Sequence, residues 1–283
     1  MKGVLNSKNH DRNAAGMTYV YPVISRRAGG VSVGINLNPN NACNWHCAYC
    51  QVPNLTRGVS PDIDLAILRS ELTNMLDDLL HGDFMLQRVS EDCRQLCDIA
   101  ISGNGEPTSC QSFDAVVAVI LEVMNEFSLL GAIPIRLISN GSYVHKVHVQ
   151  RGLHLMAENK GEVWIKADGA SDEAIARING VQLSVEQLFK QVKTVANTCP
   201  SWIQTCMLAW DGKPPSEADT EAYLTFLERL KVEQVPIQGV LLYGLARPSL
   251  QAEAEHVSAL NEPWMEAMRD KIKAAGFSIK LSL

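Results

Sequence analysis

Along the chain, segments with the hydrophobic pattern of β-strands alternate with segments that have the pattern of α-helices. Val31, Val33, Ile35 and Leu37 recur at every second position, which predicts a strand. Further apolar runs predict strands at 97–102, 133–142, 162–170, 201–210, 237–248 and 277–283. Segments with helical periodicity predict helices at 64–82, 113–127, 144–159, 184–198, 216–230 and 263–276. Strands and helices therefore alternate from residue 31 to the end.

This alternation predicts parallel βαβ units and an α/β fold. Six units in series, with no Pro/Gly/Ser-rich linker between them, indicate a barrel or open barrel in one domain, 21–283, preceded by a polar arm, 1–20. In parallel barrels the functional groups collect at the carboxyl ends of the strands. Polar residues follow several of the predicted strands here, so we expect the site at that face.

Composition narrows the class of protein. Hydrophobic residues make up 46% and charged residues 20%, which is typical of a globular domain. The net charge of -6 provides no overall electrostatic footprint for nucleic acid. No apolar run approaches the roughly 20 residues of a membrane helix, and the first residues lack the apolar stretch of a signal peptide. We therefore expect a cytoplasmic protein with no membrane partner.

Three of the eight cysteines, Cys43, Cys47 and Cys50, have the spacing CxxxCxxC. In a reducing compartment such a cluster is typical of metal or redox chemistry rather than disulfides. A structural zinc site needs four ligands, and the nearby His46 is adjacent to Cys47, so the two side chains are poorly placed to share an ion. An iron–sulfur cluster on three thiolates keeps one iron open to another ligand. The spacing favours the cluster, while zinc and an accidental group of thiols stay as alternatives.

CxxxCxxC in a loop after the first strand, with Tyr49 before the third cysteine, resembles the signature of the radical S-adenosylmethionine (radical SAM) superfamily. The resemblance implies a partial (β/α)6 TIM-like barrel and a [4Fe-4S] cluster on Cys43, Cys47 and Cys50. It implies that SAM binds the open iron and is cleaved to methionine and a 5'-deoxyadenosyl radical, which abstracts hydrogen from a substrate. An electron donor such as flavodoxin or ferredoxin is then expected.

The resemblance also assigns roles to residues at the other strand ends. "SGNGEPT" is similar to the family's Gly-Gly-Glu stretch, which holds the SAM amino group, and here consists of Gly103, Asn104, Gly105 and Glu106. "ISNGS" offers a polar contact to the ribose or carboxylate from Ser139 and Asn140, although Asn140 is also a common turn residue. "LLYGLARPS" is expected beside the adenine, through Leu245, Ala246 and Arg247, with Tyr49 as a further packing wall.

Lys166 and Asp168 follow a strand in "IKADG" and are predicted to serve catalysis, by contacting SAM or the substrate. Because they alternate along the strand, both should face one side, where a salt bridge between them is the alternative. The remaining cysteines are interpreted as small apolar side chains rather than ligands of an auxiliary cluster, and they are Cys93, Cys97, Cys110, Cys199 and Cys206.

Residues 21–51, together with "ISGNGEPT" and "YGLARPS", are similar to small radical SAM oxidoreductases grouped with the wyosine-forming tRNA enzymes. Those enzymes are expected to carry a second cluster on earlier cysteines, and this chain has no cysteine before Cys43. We therefore expect a single-cluster radical SAM enzyme acting on an unidentified substrate. A small molecule is favoured, while a glycyl-radical partner protein and a tRNA stay open. The alternative from another class is a non-catalytic, metal-binding barrel protein.

Overall fold

The computed structural model describes residues 5, 16–25 and 29–283, so most of the predicted arm lies outside the described residues. One curled sheet, a half-barrel, holds eight strands in chain order, and this confirms the predicted α/β partial barrel. Its strands are β1 (Val20–Ser25), β2 (Gly30–Ile35), β3 (Leu96–Ile101), β4 (Ile135–Ser139), β5 (Glu162–Lys166), β6 (Ser201–Met207), β7 (Ile237–Gly244) and β8 (Ile279–Ser282). Strands β2 to β8 are parallel, and β1 pairs antiparallel with β2.

Helices connect the parallel strands in the predicted alternating order. They are α1 (Leu65–Leu80), α2 (Phe84–Arg88), α3 (Phe113–Glu126), α4 (Val147–Glu158), α5 (Asp172–Asn179), α6 (Val185–Ala196), α7 (Glu217–Val232) and α8 (Glu262–Ala274). Ser184 caps α6 in a capping box with Gln187, as its position before the helical pattern indicates. Within the described part of the chain, no helix is both long and apolar enough to cross a membrane.

The two faces of each central strand differ in chemistry. Ile99 and Ile101 of β3 are fully buried in the main hydrophobic core, whereas Asp98 and Ala100, which alternate with them along the strand, line the inner cavity. In β6, Ile203 packs in the same core and Gln204 lines the cavity. Because side chains of a strand alternate between faces, the outer face builds the core under the helices and the inner face carries polar groups into the lumen.

Strand β1 and helix α5 are elements that the sequence pattern does not predict. β1 adds an antiparallel edge to the barrel, and its Tyr21 ring lies across Gly34, where any Cβ would overlap the ring. The Tyr21 hydroxyl lies 2.9 Å from Ser102 Oγ, and Tyr21 lines the cavity. β1 therefore extends the wall of the lumen beyond β2.

Candidate active site

A cavity of about 290 Å³ opens at the carboxyl ends of the strands and extends into the lumen. It brings together predicted residues from five separate parts of the chain. Those that line it are Cys43, Cys47, Tyr49, Cys50, Gly103, Asn104, Gly105, Glu106, Asn140, Lys166, Leu245, Ala246 and Arg247. Ser139 and Asp168 are buried beside this wall and contact residues that form it.

The cysteine loop, residues 41–51, carries Cys43, Cys47 and Cys50. Its start is held by asparagine side chains that follow β2. Asn36 Oδ1 accepts hydrogen bonds from the Asn38 amide at 3.1 Å and from the Asn104 amide at 3.0 Å. Asn38 Nδ2 donates to the Ala42 carbonyl oxygen at 3.0 Å. Both asparagines are buried, so these bonds form away from solvent and fix the loop against the turn after β3.

Two other parts of the chain hold the middle and end of the cysteine loop. The His46 and Ala48 amides donate to the carbonyl oxygens of Asn179 and Ile178, at 3.0 and 2.8 Å, where α5 ends. The Cys50 carbonyl oxygen accepts from the Leu250 amide at 2.9 Å. Gln251 Nε2 donates to the carbonyl oxygens of Cys50 at 3.1 Å and Val52 at 2.8 Å. The loop is therefore a fixed scaffold for its three thiols.

The three cysteines are free thiols, each partly buried at the cavity wall. Burial raises the pKa of Cys43 to about 11 and that of Cys47 to about 12, so that metal binding must displace protons from them. Among the described residues, no three Cys, His, Asp or Glu side chains are grouped to hold a metal ion. In an iron–sulfur cluster each thiolate binds a different iron, so the three sulfurs have to surround a space rather than one point.

Glu106 joins the ends of β3 and β4 beneath the cavity. Its Oε1 accepts hydrogen bonds from Ser139 Oγ at 2.7 Å and the Thr108 amide at 3.1 Å, and its Oε2 accepts from the Asn140 amide at 2.7 Å. Burial raises the pKa of Glu106, which is 2% exposed. Glu106 lines the cavity, where a ligand ammonium is a natural partner for its carboxylate. Ser139 acts through this carboxylate.

Lys166 and Asp168 meet at the hydroxyl group of Tyr49. Lys166 Nζ donates to this hydroxyl at 2.9 Å, and the hydroxyl donates to Asp168 Oδ2. Asp168 also accepts from Asn179 Nδ2 at 2.7 Å and from the Cys206 amide at 2.7 Å. Its carboxylate therefore ties the cysteine loop to α5 and β6, whereas Lys166 faces the cavity.

The segment after β7 lies on the same side of the cavity as Tyr49. Leu245 packs against a small apolar cluster that includes Tyr49, Ala48 and Ile178. The Arg247 carbonyl oxygen accepts from Gln51 Nε2 at 3.2 Å. This side of the cavity therefore has an apolar surface, and the backbone at Arg247 is hydrogen-bonded to the cysteine loop.

Sequence reasoning did not identify two polar groups at this site. Asn179 Nδ2 lies 3.4 Å from Cys47 Sγ, but in the sequence Asn179 forms only an Asn-Gly pair that is typical of a turn. Gln204 also lines the cavity. In the sequence it can be recognised as a polar residue inside the apolar run 201–210. A polar residue in such a strand indicates a face that is not packed against helices.

Gly105→Ala is expected to destabilise the protein by about 1–3 kcal/mol. A Cβ at this position would overlap the Ala42 carbonyl oxygen and lie 2.7 Å from Asn38 Cγ, so that the cysteine loop must shift. The matched control is Gly244→Ala, where the nearest atom to the new Cβ is Met265 Cε at 3.8 Å. Chemical denaturation of both variants, without cluster or SAM, measures the difference in their free energies of unfolding. Equal stability would contradict the close approach of Gly105 to the cysteine loop.

No family model matches the chain. It is 23% identical over 225 residues to UPF0026 protein slr1464 of Synechocystis sp., which covers 77% of this chain and 74% of that protein. It is also 25% identical over 134 residues to the GTPase Obg of Brachyspira hyodysenteriae, which covers 47% of this chain. The chain spans only 17% of that GTPase.

Solved structures give broader matches. TYW1 with a lysine-pyruvate adduct bound has a TM-score of 0.58 at 15% identity, covering 96% of this chain and 79% of TYW1. A radical SAM methyltransferase from Sphaerobacter thermophilus has a TM-score of 0.60 at 12% identity, covering 93% and 68%. Streptococcus suis SuiB bound to S-adenosylmethionine has a TM-score of 0.54 at 11% identity, covering 90% and 47%. The chain therefore has the fold of the radical SAM enzymes.

Proposed function

We propose that the chain is a radical SAM enzyme that holds one [4Fe-4S] cluster on Cys43, Cys47 and Cys50 and binds SAM in the adjoining cavity. One observation carries this proposal: three free thiols of a single fixed loop and the buried carboxylate Glu106 face the same cavity. When bound, the cluster supplies an electron that cleaves SAM to methionine and a 5'-deoxyadenosyl radical, which takes a hydrogen atom from the substrate.

The chain's own residues bind and orient the cofactor. Glu106 Oε2 accepts the ammonium group of SAM, while the backbone of the Gly-rich turn at Gly103 and Gly105 allows close approach. Tyr49, Leu245 and Ala246 offer apolar surface to the adenine, and Arg247 offers a polar contact beside it. Asn104 and Asn140 provide polar contacts to the rest of SAM.

Lys166 and Asp168 have different roles in this proposal. Lys166 places an ammonium in the cavity wall, where it contacts the bound molecules. Asp168 orients the Tyr49 hydroxyl and Asn179, and Asn179 in turn donates toward Cys47 Sγ. We therefore assign Asp168 as a positioning residue, with its catalytic role exerted through Tyr49 and Asn179.

The cellular setting follows from the same chemistry. We place the enzyme in the cytoplasm, where a flavodoxin or ferredoxin supplies the electron. The polar lumen, walled at one edge by Tyr21, favours a small-molecule substrate over a protein or tRNA.

Anaerobic reconstitution with iron and sulfide tests the proposal. The expected product contains about four irons and four sulfides per chain, and it forms 5'-deoxyadenosine and methionine from SAM after reduction with dithionite. One zinc per chain without sulfide would instead support the structural metal-binding protein. A fully loaded cluster that gives no 5'-deoxyadenosine would contradict the proposed activity.

A further inference from the structure

The inner face of β6 carries a polar group with no hydrogen-bond partner in the described part of the chain. Gln204 is 1% exposed and lines the cavity, and its Oε1 has no hydrogen-bond partner among the described residues. A buried carboxamide oxygen without a donor costs folding free energy, since the unfolded chain hydrogen-bonds it to water. A bound molecule that donates an N–H or O–H would recover this cost.

Two acidic side chains on β3 and β5, Asp98 at the cavity wall and Glu162, already have hydrogen-bond partners. Asp98 accepts hydrogen bonds from Ser32 Oγ and from Arg136 Nη1. Glu162 Oε1 accepts from Arg136 Nε at 2.6 Å and from Trp164 Nε1 at 3.0 Å. Asp98 and Glu162 are therefore joined through Arg136, and both already accept hydrogen bonds, unlike Gln204 Oε1.

Lys166 lies beside Gln204 and has donors to offer. The two residues are directly opposite in the parallel pairing of β5 with β6, and both side chains line the cavity. An ammonium has three donors, and Lys166 Nζ donates one to the uncharged hydroxyl of Tyr49. Burial alone would lower the pKa of Lys166, but the nearby Tyr243 and Asp168 side chains raise it, so the ammonium stays charged.

We propose that Gln204 and Lys166 form the substrate subsite, and that the substrate is a small organic acid with a hydroxyl or N–H group near its acidic group. The hydroxyl or N–H donates to Gln204 Oε1, and an anionic oxygen accepts from Lys166 Nζ. Neighbouring side chains on adjacent strands set the spacing of the two groups, which a compact molecule in the lumen can span. This inference rests on the proposed radical SAM function.

The first measurement separates the two levels of the proposal. Reconstituted enzyme with SAM and dithionite, and no added substrate, should form a low amount of 5'-deoxyadenosine. If no 5'-deoxyadenosine formed, the result would contradict the proposed radical SAM function itself. An extract of the source organism is then divided into molecules above about 10 kDa and below about 1 kDa, and the small molecules are divided by anion exchange; these sizes separate macromolecules from cavity-sized ligands.

The anionic small-molecule fraction should raise 5'-deoxyadenosine formation over the unstimulated level. Stimulation confined to the neutral or cationic small molecules, or to the macromolecules, would overturn the inference. So would no stimulation by any fraction, provided that the unstimulated reaction proceeds.

Gln204→Leu tests the residue directly. The ratio of stimulated to unstimulated product should fall about tenfold or more, as expected when one buried hydrogen bond to the ligand is lost. Gln191→Leu is the matched control, because Gln191 Oε1 is also buried without a partner among the described residues but lies outside this cavity. An unchanged ratio in Gln204→Leu, or an equal fall in the control, would refute the subsite.

Two further readouts guard against a purely structural explanation. The unloaded Gln204→Leu protein should unfold at the same or a higher temperature than wild type, because an unpaired polar group has been removed. A marked fall in melting temperature would show that Gln204 supports the fold. Lys166→Met should lower the stimulated reaction more than the unstimulated one, and an equal loss in both would assign Lys166 to SAM instead.

Discussion

Replacing Cys47 with alanine is expected to reduce 5'-deoxyadenosine formation to background. Cys47 is one of three thiols available to the cluster in the cysteine loop, and its Sγ lies 3.4 Å from the Asn179 Nδ2 donor. With two thiolates left, the cluster loses one of the three protein ligands that hold it. Iron and sulfide analysis after reconstitution, followed by the SAM cleavage assay, measures both consequences.

Cys93→Ala is the matched control for this experiment. Cys93 is a free, partly exposed thiol at the end of a short 3-10 turn, Glu91–Cys93, and is not among the residues that line the cavity. Its iron content and turnover should equal those of the wild type. Equal losses in both variants would reveal a nonspecific effect of thiol removal, and full activity in Cys47→Ala would refute the assigned ligand set.

Asp168→Ala should destabilise the unloaded protein by roughly 3 kcal/mol or more, because it leaves several buried donors without an acceptor. These donors are the Tyr49 hydroxyl, Asn179 Nδ2 and the Cys206 amide. The variant should also reconstitute with less iron, since the cysteine loop loses its attachment to α5 and β6. Chemical denaturation and iron analysis test the two effects.

Lys166→Met provides the comparison for Asp168→Ala. Lys166 Nζ makes one hydrogen bond to the Tyr49 hydroxyl, so its loss should cost less stability and preserve iron binding. Its effect should appear in turnover instead. If Asp168→Ala loaded iron like the wild type and lost only turnover, Asp168 would act on the bound molecules directly rather than by positioning the loop.

The architecture could be predicted because two periodicities carry it. Residues at every second position, such as Val31, Val33 and Ile35, are fully buried in the core, and the helical segments between strands have the predicted order. The cysteine spacing was equally informative, because three thiols in one loop restrict the chemistry before any fold is known. The predicted site residues line, or directly support, one cavity.

Other parts of the site depend on contacts that no local pattern specifies. Asn179 ends an eight-residue helix and lies at the cysteine loop only because the chain folds back there. Alternation placed Lys166 and Asp168 on one face, but β5 ends at Lys166, so the pleat no longer determines the direction of Asp168. The sequence pattern does not predict strand β1, because the residues before it form a polar arm.

The attachment of the Cys50 carbonyl oxygen to Leu250 and Gln251 has a consequence for biosynthesis. These contacts join parts of the chain that leave the ribosome far apart in time, and such distant pairings form late. A nascent chain that ends before residue 250 already contains all three thiols, but its cysteine loop lacks the hydrogen bonds from Leu250 and Gln251 to the Cys50 carbonyl oxygen. Until the segment after β7 has emerged from the ribosome, the cysteine loop lacks its contacts to Leu250 and Gln251. Assembly of the cluster is therefore expected to follow synthesis of the chain rather than accompany it.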